Sequence, residues 1–189
     1  MRAVTRFGAA VALLALVGTT AVQAQHPQTR QGFWIGFGLG FGSLGRSCAG
    51  CSSIDRESGV SGFLKMGGTI SDKLLLGGET NGWTGKMQGS LVTAGNLSFT
   101  AYYYPAPANG FFLRGGLGFA SYHEEGEDPA GGFGLTFGAG YDIRIGTNFS
   151  LTPAANFSWG SLGDVHTGGL VTTGSKENVL QVGLGFTWH

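Results

Sequence analysis

The sequence predicts an all-β protein, an eight-stranded antiparallel up-and-down transmembrane β-barrel. Three observations predict it. The first is composition. Gly makes up 37 of 189 residues, about a fifth against a usual share of roughly 7%. Each interior Gly costs a helix about 1 kcal/mol relative to Ala. Charged residues are only 12%, about half the usual roughly 25%, too few for an ordinary water-facing surface. Gly does not recur at every third position, which excludes collagen. Hydrophobic residues at 42% argue against disorder. The second observation is alternation of apolar residues at every second position, in segments about ten residues long. The third is that no stretch after the N-terminal segment reaches about 18 uninterrupted apolar residues, as a membrane-spanning helix requires. Only helices and closed barrels satisfy every backbone group in lipid.

Residues 1–24 read as a cleaved secretory signal peptide. Arg2 and Arg6 supply the positive start, residues 7–17 the apolar run, and Val22-Gln23-Ala24 the cleavage site. Residues 25–31 read as a periplasmic linker, and 32–189 as the barrel. The formal net charge is zero. With no basic patch, no nucleic-acid partner is expected.

The strands follow in order. Phe33, Ile35, Phe37, Leu39 and Phe41 form one face of the first, with Gly36, Gly38, Gly40 and Gly42 on the other. In the second, Leu64, Met66 and Ile70 alternate with Phe63, Lys65 and Thr69. The third is weaker, with Leu74, Leu76 and Thr80 opposite Leu75, Glu79 and Asn81. In the fourth, Leu91, Leu97, Phe99 and Tyr103 alternate with Asn96, Ser98, Thr100 and Tyr102. The fifth sets Phe111, Leu113, Leu117 and Phe119 against Arg114, Gly116 and Gly118. The sixth sets Phe133, Leu135, Phe137, Tyr141, Ile143 and Ile145 against Thr136, Asp142 and Arg144. The seventh opposes Phe149, Leu151, Phe157 and Trp159 to Ser150, Thr152, Asn156 and Ser158. The eighth opposes Leu180, Val182, Leu184, Phe186 and Trp188 to Gln181, Gly183, Gly185 and Thr187.

Tight turns are expected at 71–73, 105–110 and 146–148. Longer connections are expected at 46–58, 84–89, 123–132 and 161–177. Short and long alternate, as they should if one rim faces the periplasm and carries both termini. Trp34, Tyr102, Tyr103, Tyr104, Tyr122, Tyr141, Trp159 and Trp188 are expected in the interfacial girdles. A soluble β-sandwich or lipocalin-like barrel, the competing fold, should show the opposite polarity and more charge.

The runs FFLRGGLGFASY (111–122) and GFGLTFGAGYDIRIGTNFSLTP (132–153) resemble the final hairpins of small outer-membrane β-barrel proteins of the OmpA transmembrane domain, OmpX and Opa-like groups. Residues 179–188 resemble the C-terminal insertion signal of such barrels, carried here by Val182, Leu184, Phe186 and Trp188. The signal usually ends on an aromatic residue, and here His189 follows. The resemblance implies an outer-membrane location in a Gram-negative-type envelope. It implies outer-membrane lipids, lipopolysaccharide and the barrel-assembly machinery as partners, and a monomer. Since the eighth strand closes the sequence, no periplasmic peptidoglycan-binding domain is expected.

Candidate chemistry is sparse. Gly40–Gly45 spells G-x-G-x-x-G but precedes no helical pattern, so a dinucleotide site is rejected. Cys48 and Cys51 are the only cysteines. In an oxidising compartment they predict a local disulfide; free thiols and a metal site are the other readings. Glu124, Glu125, Glu127 and Asp128 follow His123 in an acidic outer loop. They read as a solvated loop, or as a divalent-cation bridge to lipopolysaccharide phosphates. Lys65, Glu79, Arg114, Asp142 and Arg144 share inward parity. A Lys or Arg on the mid-depth lipid face costs about 2–4 kcal/mol, so these charges should pair in the lumen, with Arg114 reaching Glu79 or Asp142. They read as a structural network, or as a polar conduit or ligand site. His166 with Ser161 or Asp164 is the nearest approach to a catalytic dyad, and there is no G-x-S-x-G. No cofactor or metal is expected.

The expected function is therefore non-enzymatic: membrane integrity, or contact with a surface ligand through the outer loops. A narrow porin-like or ligand-binding barrel is the alternative, and a lipid-modifying enzyme a third reading. Eight strands leave an interior that side chains just fill. The inward glycines make room there for Phe63, Lys65, Phe112, Arg114 and Arg144, or else mark a cavity.

Overall fold

The computed structural model describes residues 29–48, 55–87, 89–167 and 170–189, without the side chains of 166, 167 and 170. The predicted signal peptide lies outside the described residues. The strands are β1 (Phe33–Ser47), β2 (Glu57–Ser71), β3 (Leu74–Met87), β4 (Ser90–Tyr103), β5 (Phe111–Glu124), β6 (Ala130–Tyr141), β7 (Ile143–Arg144), β8 (Phe149–Thr167) and β9 (Leu170–Trp188). The short β7 continues β6 after a break at Asp142, whose N–H turns to the carbonyl of Gly110 at 2.9 Å. β6 and β7 thus form one stave, and the barrel has eight.

Each stave pairs antiparallel with its sequence neighbours, and β1 closes the ring on β9 with Phe37 opposite Phe186 and Phe41 opposite Val182. Closure pairs both edges of every stave through the belt, as lipid demands. Period-two alternation then sorts the side chains. Leu39, Phe41 and Phe119 point outward at 72–73% exposure, with Leu97, Phe99, Leu117, Phe133, Phe137 and Leu184 in the same apolar belt. Lys65, Glu79, Asn81, Asn96, Arg114, Thr136 and Asn156 point inward and are buried. This polarity is the reverse of a soluble barrel.

The inward glycines serve close packing. A Cβ at Gly38 would lie 2.5 Å from the Phe63 ring, one at Gly140 2.4 Å from Phe112, one at Gly36 2.6 Å from Lys65 Cε, and one at Gly138 2.7 Å from Arg114 Nε. Conformational need applies at Gly163, whose φ of 71° lies at the register shift in β8.

Two expectations are corrected. Trp34, Tyr102, Tyr104 and Tyr122 do not join the girdles; they are buried inside the barrel. Alternation decides this, since Trp34 lies between outward Phe33 and Ile35, whereas Tyr103, Tyr141 and Trp188 do face outward. The expected connections also shrink. β3 and β4 are separated only by residues 88–89, β5 and β6 by 125–129, and β8 and β9 by 168–169. The expected loop 161–177 is mostly paired strand, with Ser161 opposite Lys176 and His166 opposite Val171. Beyond the belt both faces tolerate polar side chains, so the apolar period fades while backbone pairing continues.

Candidate functional site

Among the described residues, the lumen of the barrel is filled in layers. At the end where β1 begins and β9 ends, here the terminal end, Arg30 is buried. Its Nη1 donates to Pro107 O (3.1 Å) and its Nη2 to Asn109 O (3.0 Å). Its guanidinium lies 3.6 Å from the centre of the Tyr104 ring, a cation–π contact. Thr69 N–H donates to Gly32 O at 2.9 Å. Residues 29–31, the described end of the expected linker, thus lie as a strap across the mouth.

Beneath it, Asp142 accepts from Tyr104 Oη (2.8 Å) and Thr152 Oγ1 (2.7 Å), and meets His189 Nε2 at 3.2 Å. Next comes an aromatic layer of Trp34, Tyr102, Tyr104 and Phe112 with Leu75. Lys65 Nζ sits among three of these rings, 5.1 Å from the centre of Phe112, 5.2 Å from Tyr102 and 5.9 Å from Trp34.

At mid-barrel, Arg114 Nη1 meets Glu79 Oε1 at 2.5 Å. Tyr102 Oη donates to the other Glu79 oxygen, and Asn81 Nδ2 donates to Oε1 at 2.7 Å. Asn156 Nδ2 donates to Asn81 Oδ1 (2.9 Å) and Gln181 Oε1 (3.0 Å), and Thr136 Oγ1 donates to Asn156 Oδ1 (3.0 Å). One hydrogen-bonded network thus runs across the lumen. Such networks are rigid when satisfied.

The far end holds an apolar core of Leu44, Trp83, Met87, Val92, Ala94, Ala120, Tyr122, Leu162, Val165 and Val179. Glu177 is buried against it, over Gly160. Its outward neighbours Lys176 and Asn178 lie beyond the belt, which begins at Leu180. Burial pushes the Glu177 carboxyl up to about 8, although Arg46 opposite pulls it down. Arg46 Nη1 donates to Tyr122 Oη at 2.9 Å. Burial likewise pushes the Tyr122 hydroxyl up to about 12.

Of the five predicted lumen charges, all are buried. Arg114 and Glu79 pair directly; Lys65 lies among rings; Arg144 Nη2 donates to Thr29 O at 2.7 Å. Glu124, Glu125, Glu127 and Asp128 lie at the exposed β5–β6 turn, where Glu127 N–H donates to Glu124 O at 3.0 Å. Cys48 carries a disulfide, while Cys51 lies outside the described residues. Val182, Leu184, Phe186 and Trp188 face outward along β9. Asp164 Oδ1 accepts from Gly174 N–H at 3.3 Å, and the side chain of His166 lies outside the described residues. Among the described residues, no three His, Cys, Asp or Glu side chains gather as a metal site.

Sequence reasoning missed Arg30, His189 and the far-end core. Parity alone could have found His189, which follows outward Trp188, and also Val92 and Ala94. Nothing in the sequence marks Arg30.

Among solved structures, Neisserial surface protein A superposes with a TM-score of 0.56 at 14% identity, over 85% of this chain and 98% of that one. Ail, the attachment invasion locus protein of Yersinia pestis, superposes with a TM-score of 0.52 at 14% identity, over 84% of this chain and 99% of that one. At such identity the likeness is one of fold. No curated protein matches in sequence. Residues 12–187 match the family described as outer membrane protein beta-barrel domain. With an apolar outer belt, a closed ring of eight staves and this match over nearly its whole length, the chain belongs to that family and is an outer-membrane β-barrel.

Proposed function

We propose that the protein is a non-enzymatic, non-conducting barrel that supports the outer membrane and meets surface ligands through its far end. The terminal end then faces the periplasm. The filled lumen carries this reading. The cavity beside Arg114, Asn156 and Gln181 has room of only about 10 Å³, at or below what one water needs. The paired extensions of β8 and β9 place polar residues such as Asp164, Thr173 and Lys176 outside the belt. The names of the two similar structures, a surface protein and an attachment protein, fit a surface role. Its partners in this reading are outer-membrane lipids, lipopolysaccharide and a surface ligand, with the assembly machinery reading the end of β9, and it acts as a monomer.

Planar-bilayer recording tests the reading. No steady, discrete openings are expected; their appearance would favour the narrow porin-like alternative. Mass spectrometry of lipid A with and without the protein tests the enzymatic reading. A change in acyl chains abolished by His166→Ala would establish it and overturn the non-enzymatic proposal.

A further inference from the structure

Arg56 lies against the outer wall just beyond the apolar belt. Its Nε donates to Ser43 Oγ at 3.1 Å, its Nη2 to Ser43 O, and its Nη1 to Asn178 Oδ1. The guanidinium therefore spans β1 and β9. Gly45 is its bed. This glycine has outward parity yet is buried, and a Cβ there would come within 2.7 Å of Arg56 Nη1. Register fixes the depth. Gly45 stands opposite Asn178, one row beyond Ser43 and Leu180, where the belt begins. Half-buried Trp159 of β8 stands opposite Asn178 on the other side, and aromatic residues girdle such barrels at the membrane–water interface.

A second cation joins it. Lys176 is exposed, stands opposite Ser47 of β1, and shares the outward face of β9 with Asn178. Two residues along a strand lie about 7 Å apart, so one phosphate held at the guanidinium is within reach of the lysine. Among the described residues neither cation forms an ion pair. Glu177, between Lys176 and Asn178, points into the barrel. Glu57 stands opposite inward Leu44, and the acidic β5–β6 turn lies four staves from β1, across the ring. A guanidinium has five N–H groups. Three of those of Arg56 go to neutral oxygens, so two N–H groups and the whole charge remain for a ligand. Two cations without a counter-charge match a phosphate monoester, which carries about −1.5 to −2 charges at neutral pH, better than a singly charged phosphodiester.

We propose that Arg56 and Lys176 form a lateral site for the phosphate monoester of a membrane lipid. Phosphate oxygens accept from the two remaining Arg56 N–H groups and from Lys176 Nζ. The acyl chains run down the belt beside Phe41, Leu180 and Val182. The guanidinium is held sideways on the wall at headgroup depth, which suits a lipid of the surrounding leaflet rather than a soluble polyanion. Assignment to the outer leaflet, and so to lipopolysaccharide, rests on the orientation proposed above; the site itself does not.

The folded barrel in detergent is mixed with phosphatidic acid, whose headgroup is a phosphate monoester, or with phosphatidylglycerol, a diester. Retained lipid is measured by native mass spectrometry. Phosphatidic acid should be retained several-fold more than phosphatidylglycerol. Arg56→Gln and Lys176→Gln should each lower its retention several-fold. Gly45→Val keeps both charges but displaces the guanidinium, and should lower it too. Lys73→Gln removes one positive charge at the terminal end and should leave retention unchanged. Equal retention of the two lipids, unchanged retention in Arg56→Gln, Lys176→Gln or Gly45→Val, or an equal loss in Lys73→Gln would each overturn the site. Binding of heparin with no lipid retained would overturn the choice of a lipid. The leaflet is read separately, by labelling Glu125→Cys in intact cells with a membrane-impermeant maleimide. Labelling is expected; its failure would overturn the orientation and the outer-leaflet assignment, while retention in detergent would still decide the site.

Discussion

Arg114 on β5 and Glu79 on β3 meet inside the barrel at 2.5 Å, with Tyr102 of the intervening β4 bonded to the other oxygen of the same carboxylate. Neither side chain has appreciable contact with solvent. Removing one partner strands the other charge, which typically costs about 3–5 kcal/mol. Glu79→Leu should therefore lower unfolding stability in detergent by that order. The double variant Glu79→Leu, Arg114→Met should recover much of the loss. Urea unfolding of the four proteins checks this; additive losses would show that the pair is not coupled.

Gly42 lies against Trp83. A Cβ there would come within 2.7 Å of Trp83 Cδ1, with its other near neighbours at 3.3 Å. Gly42→Ala should cost about 1–3 kcal/mol through overpacking. Placed on Trp83→Leu, the same substitution should cost much less. Equal costs in both backgrounds would mean that ring packing does not restrict this position.

Depth should govern the cost of charge on the outer face. Leu97 is 60% exposed within the belt, and Leu97→Arg should cost about 2–4 kcal/mol in a bilayer. Thr93 shares its outward face nearer the far end, and Thr93→Arg should cost about 0–1 kcal/mol. Refolding titrations in lipid vesicles measure both, and similar costs would contradict the placement of the belt.

Glu177 makes stability depend on pH. Its carboxyl titrates at about 8 in the folded protein against an ordinary 4.5, so the folded state holds the extra proton. Its contribution is fully present below the unfolded value and is lost as the pH rises to about 8. The slope should approach 1.4 kcal/mol per pH unit at its steepest, about the worth of one proton. Glu177→Gln should flatten the profile between pH 5 and pH 8. A slope of the same steepness in the variant would assign the effect to another group.

Alternation in the sequence determined the wall of this protein: which residues of each stave face lipid, how many staves there are, and that the buried charges lie inside. It did so because a strand has a strict two-residue period and lipid accepts only one kind of face. The same rule, applied to Trp34 and Tyr102, already placed them inward; what hid them was the expectation that aromatic residues near strand ends serve as girdles. The ends of the far-side strands were hidden for another reason, since pairing outside lipid no longer requires an apolar period. Only the tertiary structure decided who meets whom across the lumen. Arg114 could have reached Asp142 instead of Glu79, and Arg30 comes to lie on Tyr104 from a segment with no strand pattern at all. Those contacts depend on the register and curvature of the closed ring, and on glycines such as Gly38 and Gly140 that let Phe63 and Phe112 lie across it. No local period encodes distances between staves that are not neighbours.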